Sequence, residues 1–519
     1  MANIASHLFR QAQSRGSKTA LIFGERTLTF AEIHSRVCRT AAGLTAAGFK
    51  AGDKLAIMLA TSPEFLFFEY AAFALGGVVV PLNVHYRSSE LANALSSCEV
   101  DSLVIQDEFA SLLTDAALGR LTALRHVWIL GTEKLERRIS RFTDADSVLE
   151  FHASIGTVTE RAADDLALML HTSATTGKAK GVMLTVGNLQ SNYDATPGWL
   201  GLSEADRILC ALPLYNTFAL NQCINATMVT GATLVLLPRF DVVECLAAME
   251  ANRCTFFPSV PTMLQKLLND PRAADFDITC VHRLLVGAAP VPAPLLELVY
   301  RTMGPRTVVM TGYGLTEACA LVSLEHVSMD AEGNLCRPKS VGQVLPGMQM
   351  IVAGTDGKEL EPGQIGEICI KGPNVMKGYY QMDAETAKAV VHGWLQTGDL
   401  GTMDEQRHFY IVDRKKDLII RGGQNIYPAD VEEILYSHPA VAEAVVIGRP
   451  DDVLGEVPEA YVALKPGAPA TTEELMSLCK SELAYFKVPK SIHILRELPK
   501  GPTGKILRRS LRVPDAAGA

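Results

Sequence analysis

The sequence predicts an α/β fold: a large N-terminal domain of layered α/β subdomains plus a small β-rich subdomain, followed by a small mobile α+β C-terminal domain. Three observations carry this. Short apolar, β-rich runs alternate with helix-period segments through the first three-quarters of the chain, the pattern of layered sheets with largely parallel strands. Between Gly342 and Gly372 the texture changes to short strands separated by Pro346-Gly347, Asp356-Gly357 and Pro362-Gly363 turns. Beyond the charged turn Asp413–Asp417 a further set of strand-like and helix-like segments makes a compact lobe. The expected boundaries are 1–414 for the large domain, with its β-rich part at about 342–413, and 415–519 for the small one.

Taken in order, Met1–Arg10 reads as the start of an amphipathic helix and lacks the basic flank and apolar core of a secretion signal. Lys54–Leu59 reads as a strand, Glu64–Leu75 as a helix and Val78–Val80 as a strand. No Asp, Glu, Lys or Arg occurs between Arg207 and Arg239, yet Pro213, Asn216, Asn221, Gln222, Asn225 and Gly231 interrupt that stretch. A membrane span needs roughly 18 consecutive apolar residues, so the expectation is a buried strand, helix and strand that also suit the wall of an apolar pocket. Leu234–Leu237 and Val242–Ala251 continue the alternation. In the C-terminal lobe, Pro428–Ser437 and Thr472–Leu483 read as helices, Val441–Gly448 and Ala460–Leu464 as strands.

Composition narrows the function classes. A chain of 519 residues exceeds a single core, so several structural units are expected. A net charge of -9 argues against a general nucleic-acid or anionic-membrane surface. The 11 cysteines are scattered, odd in number and contain no Cys-x-x-Cys pair, so neither a disulfide framework nor a zinc site is signalled. A reducing, cytoplasmic setting is expected.

Four constellations carry chemistry. Thr172-Ser173-Ala174-Thr175-Thr176-Gly177-Lys178-Ala179-Lys180-Gly181 follows the apolar run Leu166–Leu170. Hydroxyls and backbone N–H groups can wrap phosphate oxygens there, with Lys178 and Lys180 as countercharge; the same residues also suit a solvated turn. Gly287-Ala288-Ala289-Pro290 and Gly312-Tyr313-Gly314-Leu315-Thr316-Glu317 combine small residues, which admit a flat base, with a tyrosine ring to stack on it. Asp399, in Thr397-Gly398-Asp399 at the end of a strand-like run, could accept hydrogen bonds from both hydroxyls of a ribose. Finally Asp413-Arg414-Lys415-Lys416-Asp417 leads into Arg421-Gly422-Gly423-Gln424-Asn425, with Lys505 in the Gly/Pro loop Pro499–Lys505 near the chain's end.

In order and spacing these motifs resemble the adenylate-forming superfamily, which includes acyl-CoA synthetases, firefly luciferases and the adenylation domains of peptide synthetases. The resemblance covers nearly the whole chain and is greatest to acyl-CoA synthetases. It implies that Thr172, Ser173, Thr175, Thr176, Gly177, Lys178 and Lys180 bind ATP phosphates, and that Gly287, Ala288, Ala289 and Tyr313 hold the adenine. Thr316 would bond the α-phosphate, Glu317 would hold Mg²⁺, and Asp399 and Arg414 would take the ribose. Lys505 would be the catalytic lysine, bridging carboxylate and α-phosphate oxygens. Lys416 would be the hinge about which the small domain swaps faces, and Gly422 and Gly423 would let the pantetheine arm of CoA pass. Ala174 and Ala179 depart from the family's usual glycine and proline, and Asn216 from its common histidine.

The implied function is an ATP-dependent carboxylate–CoA ligase acting through acyl-AMP, with ATP, Mg²⁺ and CoA. Asn216, Phe218 and Gln222 are expected in the acyl pocket, whose uncharged surroundings favour a fatty or aromatic monocarboxylate. Two alternatives stand beside it: an acyl-AMP ligase that loads an acyl carrier protein, and a non-catalytic nucleotide-binding relative.

Overall fold

The computed structural model describes residues 3–131, 142–172, 180–465, 467–501 and 506–512. Chain contacts divide the molecule into two compact units, Met1–Gln349 with Lys371–Leu395, and Met350–Ile370 with Gln396–Ala519. Both mix helices and strands, so the α/β class is observed.

The first unit contains two sheets. In one, the strands Val308–Leu315, Arg283–Val286, Phe256–Ser259, Arg207–Cys210, Thr233–Leu236 and Thr19–Phe23 lie side by side and parallel. Antiparallel strands flank them: Ala320–His326 and Ser340–Val344 on one side, Arg26–Thr29 on the other. In the second sheet, Leu166–Thr172, Val78–Pro81, Lys54–Met58, Ser102–Gln106, His126–Leu130 and Phe142–Asp144 are parallel, and Lys180–Thr185 folds back antiparallel on the first of them. Parallel strands are covered on both faces, which is why they read as continuous apolar runs without alternation.

The helix Pro63–Ala74 starts on a proline at its first turn, which costs no intrahelical hydrogen bond, and is buried at every position but Glu64. It carries two acids: Glu64 in its first turn, which pairs with Arg26 (2.9 Å), and the buried Glu69, whose Oε2 has no hydrogen-bond partner. Burial pushes its carboxyl up to about 8. In the unfolded chain the same group titrates at ~4.3, so between these values the folded state binds the extra proton and stability falls as pH rises. Glu69→Gln should therefore stabilise the protein by ~1–3 kcal/mol at pH 8 and change nothing at pH 4. Thermal unfolding at the two pH values checks this, and an equal shift at both would show that the carboxyl's ionisation is not the cause.

The uncharged stretch after Arg207 is a strand to Cys210, a loop, the short helix Thr217–Ala219, a π-helical turn Leu220–Asn225, the helix Ala226–Thr230 and the strand Thr233–Leu236. Gly231 ends the helical part in a left-handed conformation (φ +77°), the usual glycine C-terminal stop. Among the described residues no helix is long and apolar enough to cross a membrane. Nine cysteines are buried, while Cys280 is half-buried and Cys336 exposed.

In the second unit, Gly366–Lys371, Trp394–Met403 and Phe409–Arg414 belong to the β-rich segment, with Gly357 and Gly363 supplying positive φ at its turns. The lobe beyond it pairs Val441–Asp451 with Gly455–Leu464 and carries the helices Pro428–Ser437 and Thr472–Glu482. Its core gathers Ile419, Val431, Leu435, Val446, Val462 and Leu475.

Candidate active site

In parallel sheets ligands bind beyond the carboxyl ends of the strands. Two expected motifs meet at such an end in the first unit. Strands Arg283–Val286 and Val308–Leu315 are neighbours with Val286 opposite Thr311, so the turn at Gly287 lies beside Gly312. A β-carbon on Gly287 would stand 3.5 Å from the Gly312 carbonyl oxygen, and Gly287 N–H donates to Ser259 O (3.1 Å). Ala288 holds φ +65°, a region alanine seldom enters, and such strain gathers at functional loops. Tyr313 is half-buried on the same strand. Thr316 and Glu317 open a single 3-10 turn, Thr316–Ala318, followed by Cys319 and Ala320 at positive φ.

Glu317 is tied to the hairpin formed by Leu166–Thr172 and Lys180–Thr185. The Tyr379 hydroxyl donates to Glu317 Oε1 (3.1 Å), and the Tyr379 ring lies 4.7 Å beneath Lys180 Nζ. Lys180 in turn pairs with Glu385 at 2.7 Å. Lys180 and neighbouring Lys388 hold the Glu385 carboxyl down to about 2, whereas burial and the Glu317 charge push the Tyr379 hydroxyl well up, keeping it a donor. Thr172 and Lys180 face each other across the hairpin's mouth. Ser173, Thr175, Thr176, Gly177 and Lys178 lie outside the described residues, as does Lys505.

The residues expected in the acyl pocket follow the strand Arg207–Cys210. Asn216 precedes the short helix Thr217–Ala219, Phe218 is half-buried within it, and Gln222 is 1% exposed on the π-helical turn. π-helical turns are rare and concentrate at functional sites. Neighbouring Asn221 and Asn225 are bonded into the core, Asn221 Nδ2 to Asn192 Oδ1 (2.8 Å) and Asn225 Nδ2 to Tyr193 O (2.8 Å).

The remaining candidates belong to the second unit. Asp399 does not end its strand; Trp394–Met403 runs past it and sets Asp399 opposite Arg414, with Arg414 Nε 3.3 Å from its Oδ1. The turn that follows is held on both sides of exposed Lys416. Asp413 accepts from Arg414 N (2.7 Å) and from Ala429 N (3.0 Å) at a helix start, and Asp417 accepts from Arg512 (2.8 Å). Gly422 and Gly423 form the two-residue turn between Ile419–Arg421 and Gln424–Ile426, both with positive φ (+56° and +81°), as a type I′ turn demands. A β-carbon on Gly423 would meet nothing within 4 Å.

Sequence reading missed Tyr379 and Glu385. They lie 62 and 205 residues from the partners they serve, so no local spacing could disclose them; the cue available was a tyrosine pair placed just before an acid-led helix.

Residues 8–380 match the AMP-binding enzyme family and residues 430–505 the AMP-binding enzyme C-terminal domain. The chain is 35% identical over 521 residues to a long-chain-fatty-acid–CoA ligase of Bacillus subtilis (strain 168), covering 95% of this chain and 91% of that protein. It is 36% identical over 503 residues to a feruloyl-CoA synthase of an Amycolatopsis species, covering 97% of each. Among solved structures, o-succinylbenzoate CoA synthetase from Bacillus subtilis, in complex with its acyl-adenylate intermediate, aligns over 99% of each chain with a TM-score of 0.83 and 32% identity. The chain thus belongs to the AMP-binding enzyme family, the adenylate-forming group its motifs resemble.

Proposed function

We propose that this chain is a carboxylate–CoA ligase: it joins a fatty or aromatic monocarboxylate to the α-phosphorus of ATP, releasing pyrophosphate, and then passes the acyl group to the CoA thiol, releasing AMP. A carboxylate is a poor electrophile, and the mixed anhydride with AMP supplies the leaving group it lacks. The observation that carries the reading is the convergence of the Gly287 and Gly312 motifs at one sheet end, with Lys180 and Glu317 linked through Tyr379. Among relatives, the long-chain-fatty-acid–CoA ligase and the feruloyl-CoA synthase take acids of the two proposed classes.

The residue roles follow the resemblance. Thr172, Lys180 and the loop 173–179 hold phosphates, Tyr313 and residues 287–289 the base, Thr316 the α-phosphate, Asp399 and Arg414 the ribose. Mg²⁺ takes one or two carboxylates and fills its shell with water and phosphate oxygens. Glu317 beside Thr316 fits that demand, since no described cluster of three acidic, histidine or cysteine side chains forms a dedicated cage. The metal would neutralise phosphate charge, while Tyr379 holds the carboxylate in place for it. Division of labour between 1–414 and 415–519, alternating about Lys416, would let one pocket serve both half-reactions. A cytoplasmic location accords with this use of ATP and CoA.

Free CoA is preferred over an acyl carrier protein as acceptor because the run 342–399 is compact, with no inserted segment to hold the lobe in its adenylating orientation. The test is mass-spectrometric product analysis with ATP, Mg²⁺, a panel of medium-chain and aromatic acids, and either CoA or a phosphopantetheinylated carrier. Acyl-CoA should form with little acyl-AMP remaining. Persistent acyl-AMP beside CoA, with rapid loading of the carrier, would establish the carrier-loading alternative instead.

A further inference from the structure

The Lys180 ammonium has a carboxylate partner. Its Nζ pairs with Glu385 Oε2 at 2.7 Å and lies 4.7 Å over the Tyr379 ring, whose hydroxyl donates to Glu317. A carboxylate beside a cation that is to take phosphate oxygens opposes the binding of a polyanion. Glu385 cannot follow the lysine. Its neighbour Thr386 accepts from Tyr379 N (2.9 Å) and donates to Met382 O (3.0 Å), which seats the helix Asp383–Ala389 on the strand Gly378–Tyr379. The seat is close, since a β-carbon on Gly378 would stand 2.7 Å from Thr386 Cγ2. That strand pairs in turn with Lys180–Thr185, Tyr379 opposite Val182. The glutamate is therefore fixed relative to the backbone of Lys180, whereas the ammonium rides on a flexible four-carbon stem. Glu385 also has a second cation. Lys388, three residues on along the helix, brings its Nζ to Oε1 at 2.9 Å, while Lys180 uses Oε2. Each lysine has its own oxygen, so one can leave without disturbing the other.

Resting on the ligase reading above, we propose that Glu385 is a positioning residue that competes with the phosphates of ATP and of pyrophosphate for Lys180, and that Lys388 neutralises Glu385 when Lys180 turns to phosphate. With Lys388 in place the carboxylate is not left bare beside a polyphosphate, which keeps the exchange between the two partners of Lys180 close to balance. Such an exchange sets the affinity for polyphosphate and takes no part in bond making. It weakens ATP and pyrophosphate alike, and it favours departure of pyrophosphate after adenylation, because Glu385 recovers the ammonium that the leaving group gives up. Lys388 acts on ATP only through Glu385, which makes its effect conditional on the carboxylate.

The experiment measures KM for ATP in acid-dependent ATP–pyrophosphate exchange, and the inhibition constant of inorganic pyrophosphate in acyl-CoA formation. Glu385→Gln should lower both constants by about 2- to 5-fold, the size of effect a partly exposed ion pair carries. Replacement of a glutamate that serves the fold alone would raise KM or leave it unmoved. Lys388→Met should raise both constants by a similar factor, since Glu385 then has Lys180 as its remaining lysine partner, and the double variant should match Glu385→Gln. Glu385→Ala gives the same test with no polar group left to hold Lys180, and thermal unfolding shows that each variant is folded. A KM for ATP that rises or stays unchanged in both Glu385 variants would overturn the inference, as would a Lys388→Met effect that persists once the Glu385 carboxylate is gone. Either result leaves acid-dependent exchange, and so the ligase reading, in place. Wild-type protein that exchanges pyrophosphate with no acid at all would overturn that reading, and this inference with it.

Discussion

Lys505→Ala should lower acyl-adenylate formation by about two to three orders of magnitude while largely sparing thioester formation from supplied acyl-adenylate. A preorganised charge aimed at developing negative charge on carboxylate and phosphate oxygens contributes an effect of that size. Lys505 is the last residue of the matched C-terminal family domain. The asymmetry between half-reactions follows from the proposed alternation about Lys416, since the lysine would face the pocket in the adenylating arrangement and leave it for thiol transfer. Each half-reaction is measured separately, the first by pyrophosphate release and the second by CoA consumption. Equal loss in both would mean that the small domain does not exchange faces.

Gly314→Ala should be the most damaging single methyl group in the Gly312–Glu317 motif. A β-carbon at Gly314 would stand 1.6 Å from the Ala320 carbonyl oxygen and 2.5 Å from its carbon. Both are backbone atoms on the partner strand, beside the irregularity in pairing after Tyr313, so they cannot move aside as a side chain can. Either the strand pair opens or the turn bearing Thr316 and Glu317 is displaced. Overpacking of a rigid site costs about 1–3 kcal/mol or more, and a shift of the motif by about 1 Å can cost about 100-fold in rate. Thermal unfolding and ATP–pyrophosphate exchange should both fall. Gly198→Ala, where a β-carbon meets nothing within 4 Å, is the control expected to change neither. Wild-type behaviour of the Gly314 variant would contradict the strand pairing described above.

Fold and site differed in how far they could be read from sequence. The helix Pro428–Ser437 and the strand beginning at Val441 fall where apolar spacing and the initial proline put them, because period and turn chemistry are local properties. The uncharged stretch after Arg207 was legible as strand, helix and strand, but its π-helical turn was not, since all six of its residues are buried and no apolar face is left to mark a change of period. Asp399 reads as the end of a strand-like run; the strand continues past it, with Gly398 at φ +73°. Gly422-Gly423 was read as a gap for a thin ligand, and the structure adds an independent cause, the positive φ that the hairpin requires of both. A bulky residue at 423 would therefore strain the turn as well as narrow any path across it. Tyr379 and Glu69 escaped the sequence reading for opposite reasons: the first acts on partners distant in the chain, and the second sits in so apolar a helix that only its burial marks it.

The central claim, activation of a carboxylate by ATP, is tested most directly by acid-dependent ATP–pyrophosphate exchange in the absence of CoA. With Mg²⁺ and a suitable monocarboxylate, labelled pyrophosphate should enter ATP, and Glu317→Gln should suppress that exchange without loss of the folded state. Exchange that is absent across fatty and aromatic acids, in a folded protein that still binds ATP, would contradict the account.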